Sequence, residues 1–240
     1  MTSLYEEHRP RRAPSRFVAC VWTQVNGASV EHRQLVVPDG CVDLIWREGV
    51  VQVIGPDRRA WTTPLAAGSS ISGVRLRPGT ARLLLGHVPV DEVRDLRVPL
   101  AELARGTAPL TERLAAAGSS RAAAAVLDDY VATLTPEYEP DSAVQHVVTL
   151  LRRSGTPHLP TLADDIGLSE RQLRRRFTEA VGYGPKALHG ILRFQHALHL
   201  ARSTGDGLAT IAHEAGYADQ AHFTREVRRL AGVTPTRLIG

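Results

Sequence analysis

The 240-residue sequence predicts an α+β protein, with an N-terminal antiparallel β-rich domain, barrel or sandwich-like, followed by an all-α domain. Three observations predict this fold class. Short runs rich in Val, Ile, Trp and Thr alternate with turn residues between Phe17 and Leu76. From Asp141 onward the apolar residues recur with helical spacing. The helical part also contains one pattern twice, about 50 residues apart.

The strands are delimited by turn signals such as "NG" at Asn26, "PDG" at Pro38 and "GPD" at Gly55. Such signals recur roughly every ten residues, which is typical of an antiparallel sheet rather than of alternating strands and helices. The predicted strands cover residues 17–24, 32–37, 42–46, 50–54 and 70–76.

After Pro78 the pattern changes to short helical segments, which predict a small helical subregion over residues 78–135. Its longest segment, "SSRAAAAVLDDYVATL", has Ser119 or Ser120 as a potential N-cap. The stretch "TPEYEPDS" at 135–142 then combines two prolines with three acids and no periodic apolar face. We therefore place a domain boundary there, between residues 1–138 and 139–240.

The C-terminal domain repeats itself in "LADDIGLSERQLRRRFTEAVGYGP" and "IAHEAGYADQAHFTREVRRLAGVTP". Gly167 aligns with Gly216, and Gly182 aligns with Gly232 after one inserted residue. Each copy reads as a short helix, a turn with glycine and a longer helix, which is the pattern of a helix-turn-helix unit. The sequence thus predicts six helices, and a short seventh at the end.

Within the first unit, Ser169 and Gln172 form an S-x-x-Q capping box, so the second helix is expected to begin there. Leu173 and Phe177 lie four residues apart and are expected to be buried together. Their burial would fix the rotation of the helix and turn its arginines outward.

A long helix from Pro185 to Ser203 is predicted to join the two units. Its nineteen residues would span roughly 28 Å at about 1.5 Å per residue, close to the ~34 Å of one turn of DNA. Two recognition helices held this far apart could enter successive major grooves of one duplex.

The last hundred residues resemble the DNA-binding domain of AraC/XylS-type transcriptional regulators, most specifically in "IAHEAGYADQAHFTREVRRLAGVTPTRL". The resemblance covers about residues 145–240. Val227 and Ala218 depart from the residues usual in the family, Phe and Ser, and both positions are structural. The N-terminal stretches "VPDGCVDLIW" and "VRLRPGTARLLLG" look like less characterised N-terminal domains of some actinobacterial members.

The resemblance implies a bacterial, sequence-specific regulator of transcription that binds double-stranded DNA. It also implies an N-terminal domain that binds a small-molecule effector or forms a homodimer, and RNA polymerase as a possible partner. By the geometry of helix-turn-helix docking, exposed residues at the start of each recognition helix contact the DNA. The predicted DNA-binding residues are Ser169, Glu170, Arg171, Gln172, Arg174, Arg175, Gln220, Ala221, His222, Thr224, Arg225 and Arg229.

A predicted effector site in the N-terminal domain consists of Cys41, Asp43 and Trp46, with Trp46 lining a cavity. A turn that leads into a buried strand explains the same residues without an effector. His196 and His199 share a helix face but have neither Cys nor paired carboxylates nearby, so we expect no metal site and no cofactor. No phosphate loop, G-x-S-x-G or H-E-x-x-H motif occurs, so we expect no enzyme.

Charge and cysteine content are compatible with this interpretation. Residues 141–240 carry 13 Lys and Arg against 9 Asp and Glu, whereas residues 1–140 carry 16 of each. With two cysteines, no signal-peptide pattern and no uncharged run as long as the ~20 residues of a membrane span, we expect a soluble protein of the reducing cytoplasm. The alternative function is a nonspecific architectural binder of nucleic acids or anionic surfaces, without an effector.

Overall fold

A computed structural model describes residues 3–153 and 159–239 of the chain. The N-terminal part contains short strands, and from β2 to β7 they are joined by connections of 2 to 6 residues. Its strands are β1 Ser3–His8, β2 Val18–Asn26, β3 His32–Val36, β4 Val42–Arg47, β5 Val50–Ile54, β6 Trp61–Leu65, β7 Ser70–Leu76 and β8 Arg97–Pro99.

Six strands form one antiparallel sheet in the order β1-β2-β7-β4-β5-β8, and β3 pairs with β6 in a second, two-stranded sheet. The turn at Glu48 and Gly49 joins β4 to β5, and both residues have positive φ. Every pairing in the described chain is antiparallel, which confirms the predicted fold class for this domain.

The large sheet buries both of its faces, because successive side chains of a strand point to opposite sides. On one face Val21, Leu44 and Val74 pack with Leu127 of the helical subregion. On the other face the smaller sheet covers a second cluster, made of Cys20, Trp22, Ile45, Ile54, Trp61, Leu65 and Ile71. The domain is therefore sandwich-like, with helices outside one of the two sheets.

All five predicted strands are present with bounds that differ by two residues at most, while β1, β6 and β8 were missed. Pro64 lies inside β6, and proline is confined to edge strands because it cannot donate a ladder hydrogen bond. β1 carries four titratable residues in six and, within the described residues, pairs with β2 alone. β8 has three residues, too few for a periodic pattern.

The helical subregion covers one face of the sheet. Ser119 caps its longest helix by accepting a hydrogen bond from the Ala122 N–H at 3.2 Å, as predicted. Further along this helix the buried carboxylate of Asp128 accepts the backbone N–H groups of residues 11–13 at 2.8–3.1 Å. The helices are α1 Arg82–Leu85, α2 Leu100–Leu103, α3 Ala108–Ala115 and α4 Ser120–Leu134.

The C-terminal part is entirely helical in the described chain, and the six predicted helices and the short seventh are all present. They surround one apolar core, to which Val144, Leu173, Phe194 and Phe223 each contribute a fully buried side chain. The helices are α5 Ser142–Arg152, α6 Leu159–Asp165, α7 Glu170–Val181, α8 Pro185–Ser203, α9 Leu208–Glu214, α10 Gln220–Ala231 and α11 Pro235–Ile239.

The predicted boundary between residues 138 and 139 falls between two apolar clusters. Tyr138 packs against the N-terminal core, whereas Val144 belongs to the C-terminal core. Asp141, between them, is the N-cap of α5. The division into two independent domains stays a prediction, and the two parts also touch along a junction described below.

Candidate nucleic-acid interface

The first recognition helix, α7, begins where the sequence placed it. The Ser169 hydroxyl accepts the Gln172 N–H at 3.3 Å, and the Gln172 side-chain oxygen accepts the Ser169 N–H at 2.9 Å. This reciprocal capping box satisfies two backbone donors at the helix terminus. The side chains of Ser169 and Gln172 are thereby engaged in holding the start of α7.

The rotation of α7 is fixed by Leu173 and Phe177, which are both fully buried. Arg171, Arg174 and Arg175 are consequently exposed on the opposite side. In the unbound chain Arg174 pairs with Glu170 at 2.6 Å, and Arg175 lies 4.0 Å from Glu179. Exposed pairs of this kind are worth only about 0.3–0.5 kcal/mol, so they do not hold the arginines against a stronger anionic partner.

The second recognition helix, α10, is built in the same way but with a different cap. The Asp219 carboxylate accepts the His222 N–H at 2.5 Å, a cap that we did not predict because no Glu or Gln follows at the third helical position. Phe223 and Val227 are fully buried and set the rotation.

Of the predicted contact residues on α10, Gln220, Ala221 and Arg225 are exposed, and Thr224 is half-buried. His222 is also half-buried, because its ring packs edge-on against Tyr217 with centroids 5.2 Å apart. Gln220, Ala221 and Arg225 therefore present their side chains more freely than Thr224 and His222 do.

The repeat in the sequence is matched by a repeat in the backbone conformation of its glycines. Gly182 and Gly232 each end a recognition helix in the left-handed region, at φ 94° and 71°. Gly167 and Gly216, in the turns between the helices of each unit, have φ 67° and 78°. Because L-residues with side chains rarely adopt this conformation, the four aligned glycines occupy positions that require them.

Both recognition helices line one groove. A concavity of about 840 Å³ lies between α7, α10 and the start of α8. Its wall includes Arg174 and Thr178 from α7, and His222 and Arg229 from α10. The long connecting helix α8 has the predicted nineteen residues, from Pro185 to Ser203. The two helices therefore border a common side of the domain, as binding to one face of a duplex requires.

Some arginines have structural partners instead. Arg176 donates two hydrogen bonds to the Asp141 carboxylate, at 2.7 and 2.8 Å. Burial acts to raise the pKa of Asp141, but these bonds and the α5 N–H groups outweigh it and lower that pKa. Arg193 lies over the Tyr217 ring, with its guanidinium carbon 4.3 Å from the centroid. Arg176 therefore ties α7 to α5, and Arg193 ties α8 to the second unit.

Comparisons with known proteins agree with this geometry. Residues 162–239 match a family described as a helix-turn-helix domain. The transcriptional activator RhaS of Escherichia fergusonii is 35% identical over 77 residues, which cover 32% of this chain and 28% of RhaS. RhaS of an Enterobacter species is 33% identical over 78 residues, with the same two shares covered. The C-terminal domain is thus similar to the helix-turn-helix domains of AraC/XylS-type regulators.

The other similarities are weaker. The chain spans about 28% of the length of these RhaS relatives. A probable AraC family regulator from Rhodopseudomonas palustris is 25% identical, with a TM-score of 0.37, and covers 41% of this chain and 95% of its own. ToxT from Vibrio cholerae is 10% identical with a TM-score of 0.45, covering all of this chain and 98% of its own. Residues 6–99 match a family described as a domain of unknown function (DUF6597).

The three predicted effector residues do not lie together. Asp43 points to the face of the sheet that the smaller sheet covers, where Arg75 holds it. Trp46, three residues further along β4, lies on the opposite face and packs against the N-terminal core. The grouping of Trp46 with Cys41 and Asp43 is thus wrong, because residues an odd number of positions apart on a strand face opposite sides.

Asp43 belongs to a charged cluster that the sequence analysis missed. The Arg75 Nε lies 3.2 Å from Asp43 and 3.0 Å from Asp39, and the Trp22 indole N–H donates to Asp43 at 2.8 Å. Burial raises the pKa of Asp43, and Arg75 acts against it. The Trp22 ring also lies so close to Gly73 that a Cβ there would be 2.4 Å from it. The Asp43 carboxylate is therefore already paired with Arg75 and hydrogen-bonded to Trp22.

Both cysteines are free thiols near this cluster. Burial raises the pKa of Cys20 to about 12 and that of Cys41 well above its ordinary value. Neither is a reactive thiolate at neutral pH. An effector role for Cys41 and Asp43 stays a prediction.

Within residues 3–153 and 159–239, no three His, Cys, Asp or Glu side chains come close enough together to hold a metal ion. The histidines of α8 illustrate the point, since His196 and His199 are both exposed on the helix surface. None of the described helices combines the length and the apolar character that crossing a bilayer requires.

Proposed function

We propose that the chain binds double-stranded DNA sequence-specifically, with α7 and α10 in successive major grooves, and thereby regulates transcription. The observation that carries this proposal is that both recognition helices border one groove with their starts exposed. Buried pairs of apolar residues fix both rotations. The match to an AraC-type helix-turn-helix domain supports the same function.

Within the first unit, Arg171, Arg174 and Arg175 are the residues that read base edges. An arginine contacts guanine O6 and N7 with two hydrogen bonds, worth about 1–3 kcal/mol of discrimination per base pair. Ser169 and Gln172 make the capping box, so their contribution is to place the helix and its terminal N–H groups against a phosphate. Glu170 is the counter-ion that Arg174 leaves on binding.

Within the second unit, Gln220 contacts adenine, Ala221 packs on a thymine methyl group, and Arg225 contacts guanine. Thr224 and His222 lie at the edge of this contact, and Arg229 lies at the other end of the helix, where it binds a phosphate. Phosphate contacts position the protein without specifying sequence.

Genomic immunoprecipitation supplies candidate operators, and fluorescence anisotropy with operator and scrambled duplexes at rising salt tests specificity. We expect binding to the operator to exceed binding to the scrambled duplex at every salt concentration. A nonspecific architectural binder would lose affinity for both duplexes equally, and this result would refute the proposal. Hydroxyl-radical footprints are expected at two sites about one helical turn apart.

Three matched variants test the assignment of residues. Arg171→Ala and Arg225→Ala should each cost about 1–3 kcal/mol and relax the preference at one base pair. Arg202→Ala, an exposed arginine at the end of α8, is the control and should leave operator affinity unchanged. Equal losses from all three would show that charge alone matters and that the face is misassigned.

The regulatory part of the proposal includes a small-molecule effector acting through the N-terminal domain. Contact with RNA polymerase and a homodimer through the N-terminal domain are further predictions. Sedimentation of the full chain with and without operator tests the dimer, since a monomer on a two-groove site would contradict it.

A further inference from the structure

A second concavity lies at the junction between the N-terminal domain and α10. It has a volume of about 630 Å³. The loop between β5 and β6 forms one side, the segment that leads into β8 forms another, and α10 closes it. We call it the junction cleft, and its lining residues are Asp57, Arg58, Arg59, Trp61, Asp95, Arg97 and Arg229.

Four arginines face two aspartates in the junction cleft. Arg58 donates to Asp95 through both its backbone N–H and its Nε, each at 2.7 Å. Arg97 donates to Asp57 at 3.3 Å. Arg59 is exposed and has no ion-pair partner in the described part of the chain. The cleft therefore retains positive charge after its internal pairs are formed.

Arg97 also has a donor without an acceptor. Its guanidinium carbon lies 3.6 Å from the centroid of the Trp61 ring, which holds the group flat. One terminal nitrogen donates to Asp57 and the other to the Asp95 carbonyl. The Nε is buried and has no hydrogen-bond partner among the residues described. A buried, charged donor left unpaired costs free energy that an oxyanion would recover.

The same two segments hold the C-terminal ends of both recognition helices. The Ala60 N–H, next to Arg59, donates to the Leu230 carbonyl of α10 at 2.6 Å. The Arg94 guanidinium donates to the Gly182 carbonyl at the end of α7, also at 2.6 Å. A shift of the loop that carries Arg58 and Arg59 would therefore be transmitted to α10.

We propose that the junction cleft binds a small oxyanion, the carboxylate or phosphate group of a low-molecular-weight effector, which alters how α10 is held relative to α7. Arg59 supplies a free guanidinium, and Arg97 supplies its unpaired Nε when the anion displaces the groups that bury it. The second half of this proposal rests on the proposed function, because the changed position of α10 is read out through DNA. The first half, anion binding, is independent of DNA.

Arginine side-chain NMR on the ¹⁵N-labelled full chain tests anion binding directly. The probes are inorganic phosphate and benzoate, with benzamide and chloride at matched ionic strength as controls. We expect phosphate or benzoate to produce a saturable shift of the Arg97 Nε resonance that neither control produces. Absence of a saturable response to both anions at millimolar concentration would overturn the proposal.

Two variants connect that response to the cleft. Arg59→Gln should weaken anion binding about tenfold, the effect of removing one charged hydrogen bond. Arg121→Gln, which replaces an exposed arginine at the start of α4, should bind the anion as the unchanged protein does. Equal binding by Arg59→Gln and the unchanged protein would place the anion elsewhere and refute the site.

Operator affinity, measured with and without the anion, tests the coupling. We expect the anion to change the affinity of the unchanged protein by at least about fivefold, within the usual range of allosteric coupling. The change should be much smaller in Arg59→Gln. Anion binding without any change in operator affinity would refute the coupling.

The anion-free protein provides the remaining comparison. If Arg59→Gln weakens operator binding as much as Arg171→Ala does, the cleft contacts the DNA backbone and the effector proposal is wrong. If no duplex is bound at all, the proposed function fails, while the NMR result still decides whether the cleft binds anions.

Discussion

The junction between the two parts of the chain can be tested with two glycines that end equivalent helices. Gly182 and Gly232 both have positive φ, at 94° and 71°. At Gly182 an added Cβ would lie 2.5 Å from a Pro56 side-chain carbon and 3.4 Å from Val90. At Gly232 no heavy atom of the described residues lies within 4 Å of the added Cβ.

Alanine at Gly232 should therefore cost only the backbone strain of the left-handed conformation, about 1–2 kcal/mol. Alanine at Gly182 carries the same strain and also an overlap with the N-terminal domain. Overpacking in a well-packed region typically costs a further ~1–3 kcal/mol. We expect Gly182→Ala to be destabilised by about 2–5 kcal/mol in total.

Urea denaturation of the full chain measures both variants, with tryptophan fluorescence for the N-terminal domain and circular dichroism for the helical domain. A Pro56→Ala change in the Gly182→Ala background should recover part of the difference, because it removes the overlapping side-chain atom. Equal destabilisation by the two alanines, with no recovery, would show that the junction does not form in solution.

Three further changes test other parts of the structure. Phe223→Ala removes a fully buried ring and should lower the free energy of unfolding by about 3–5 kcal/mol. The helical signal of the second unit should therefore be lost at a lower urea concentration than in the parent protein. Asp128→Ala leaves three backbone N–H groups at residues 11–13 without their acceptor. It should lower the free energy of unfolding, measured by urea denaturation, by about 3 kcal/mol. A decrease of less than about 1 kcal/mol would contradict this role of Asp128. Burial raises the pKa of Asp57 to about 6 against the opposing effect of Arg97, so the folded state holds this proton more tightly than the unfolded state does. The free energy of unfolding of the parent protein should therefore rise relative to that of Asp57→Asn as the pH falls from about 7.5 to about 5. If the difference between the two free energies does not vary with pH, the pKa of Asp57 is not raised.

The regulation proposed for this chain acts on two hydrogen bonds at the ends of the recognition helices. Ala60 and Arg94 each contribute one hydrogen bond to the end of a recognition helix. A single net hydrogen bond is worth only about 0.5–1.5 kcal/mol. A ligand of ordinary affinity in the junction cleft therefore has enough free energy to rearrange these contacts.

The sequence alone determined the local structure of the C-terminal domain. The Ser169 and Gln172 capping box, the glycines at helix ends and the apolar pairs at a spacing of four all act between residues close in the chain. Such interactions depend little on the rest of the fold, so the start and rotation of α7 could be predicted, whereas the Asp219 cap of α10 was missed. The five strands bounded by turn residues were predictable for the same reason.

Only the tertiary structure decided which residues meet across the chain. Asp43 is neutralised by Arg75, 32 residues away, and no local pattern marks that pairing. Packing also decided what each face of β4 meets, since Trp46 lies against the N-terminal core and Asp43 faces the smaller sheet. The junction cleft likewise combines residues 57–61, 95–97 and 229. Contacts between distant segments depend on how whole elements pack, and that packing is settled by the summed burial of many side chains rather than by any one motif.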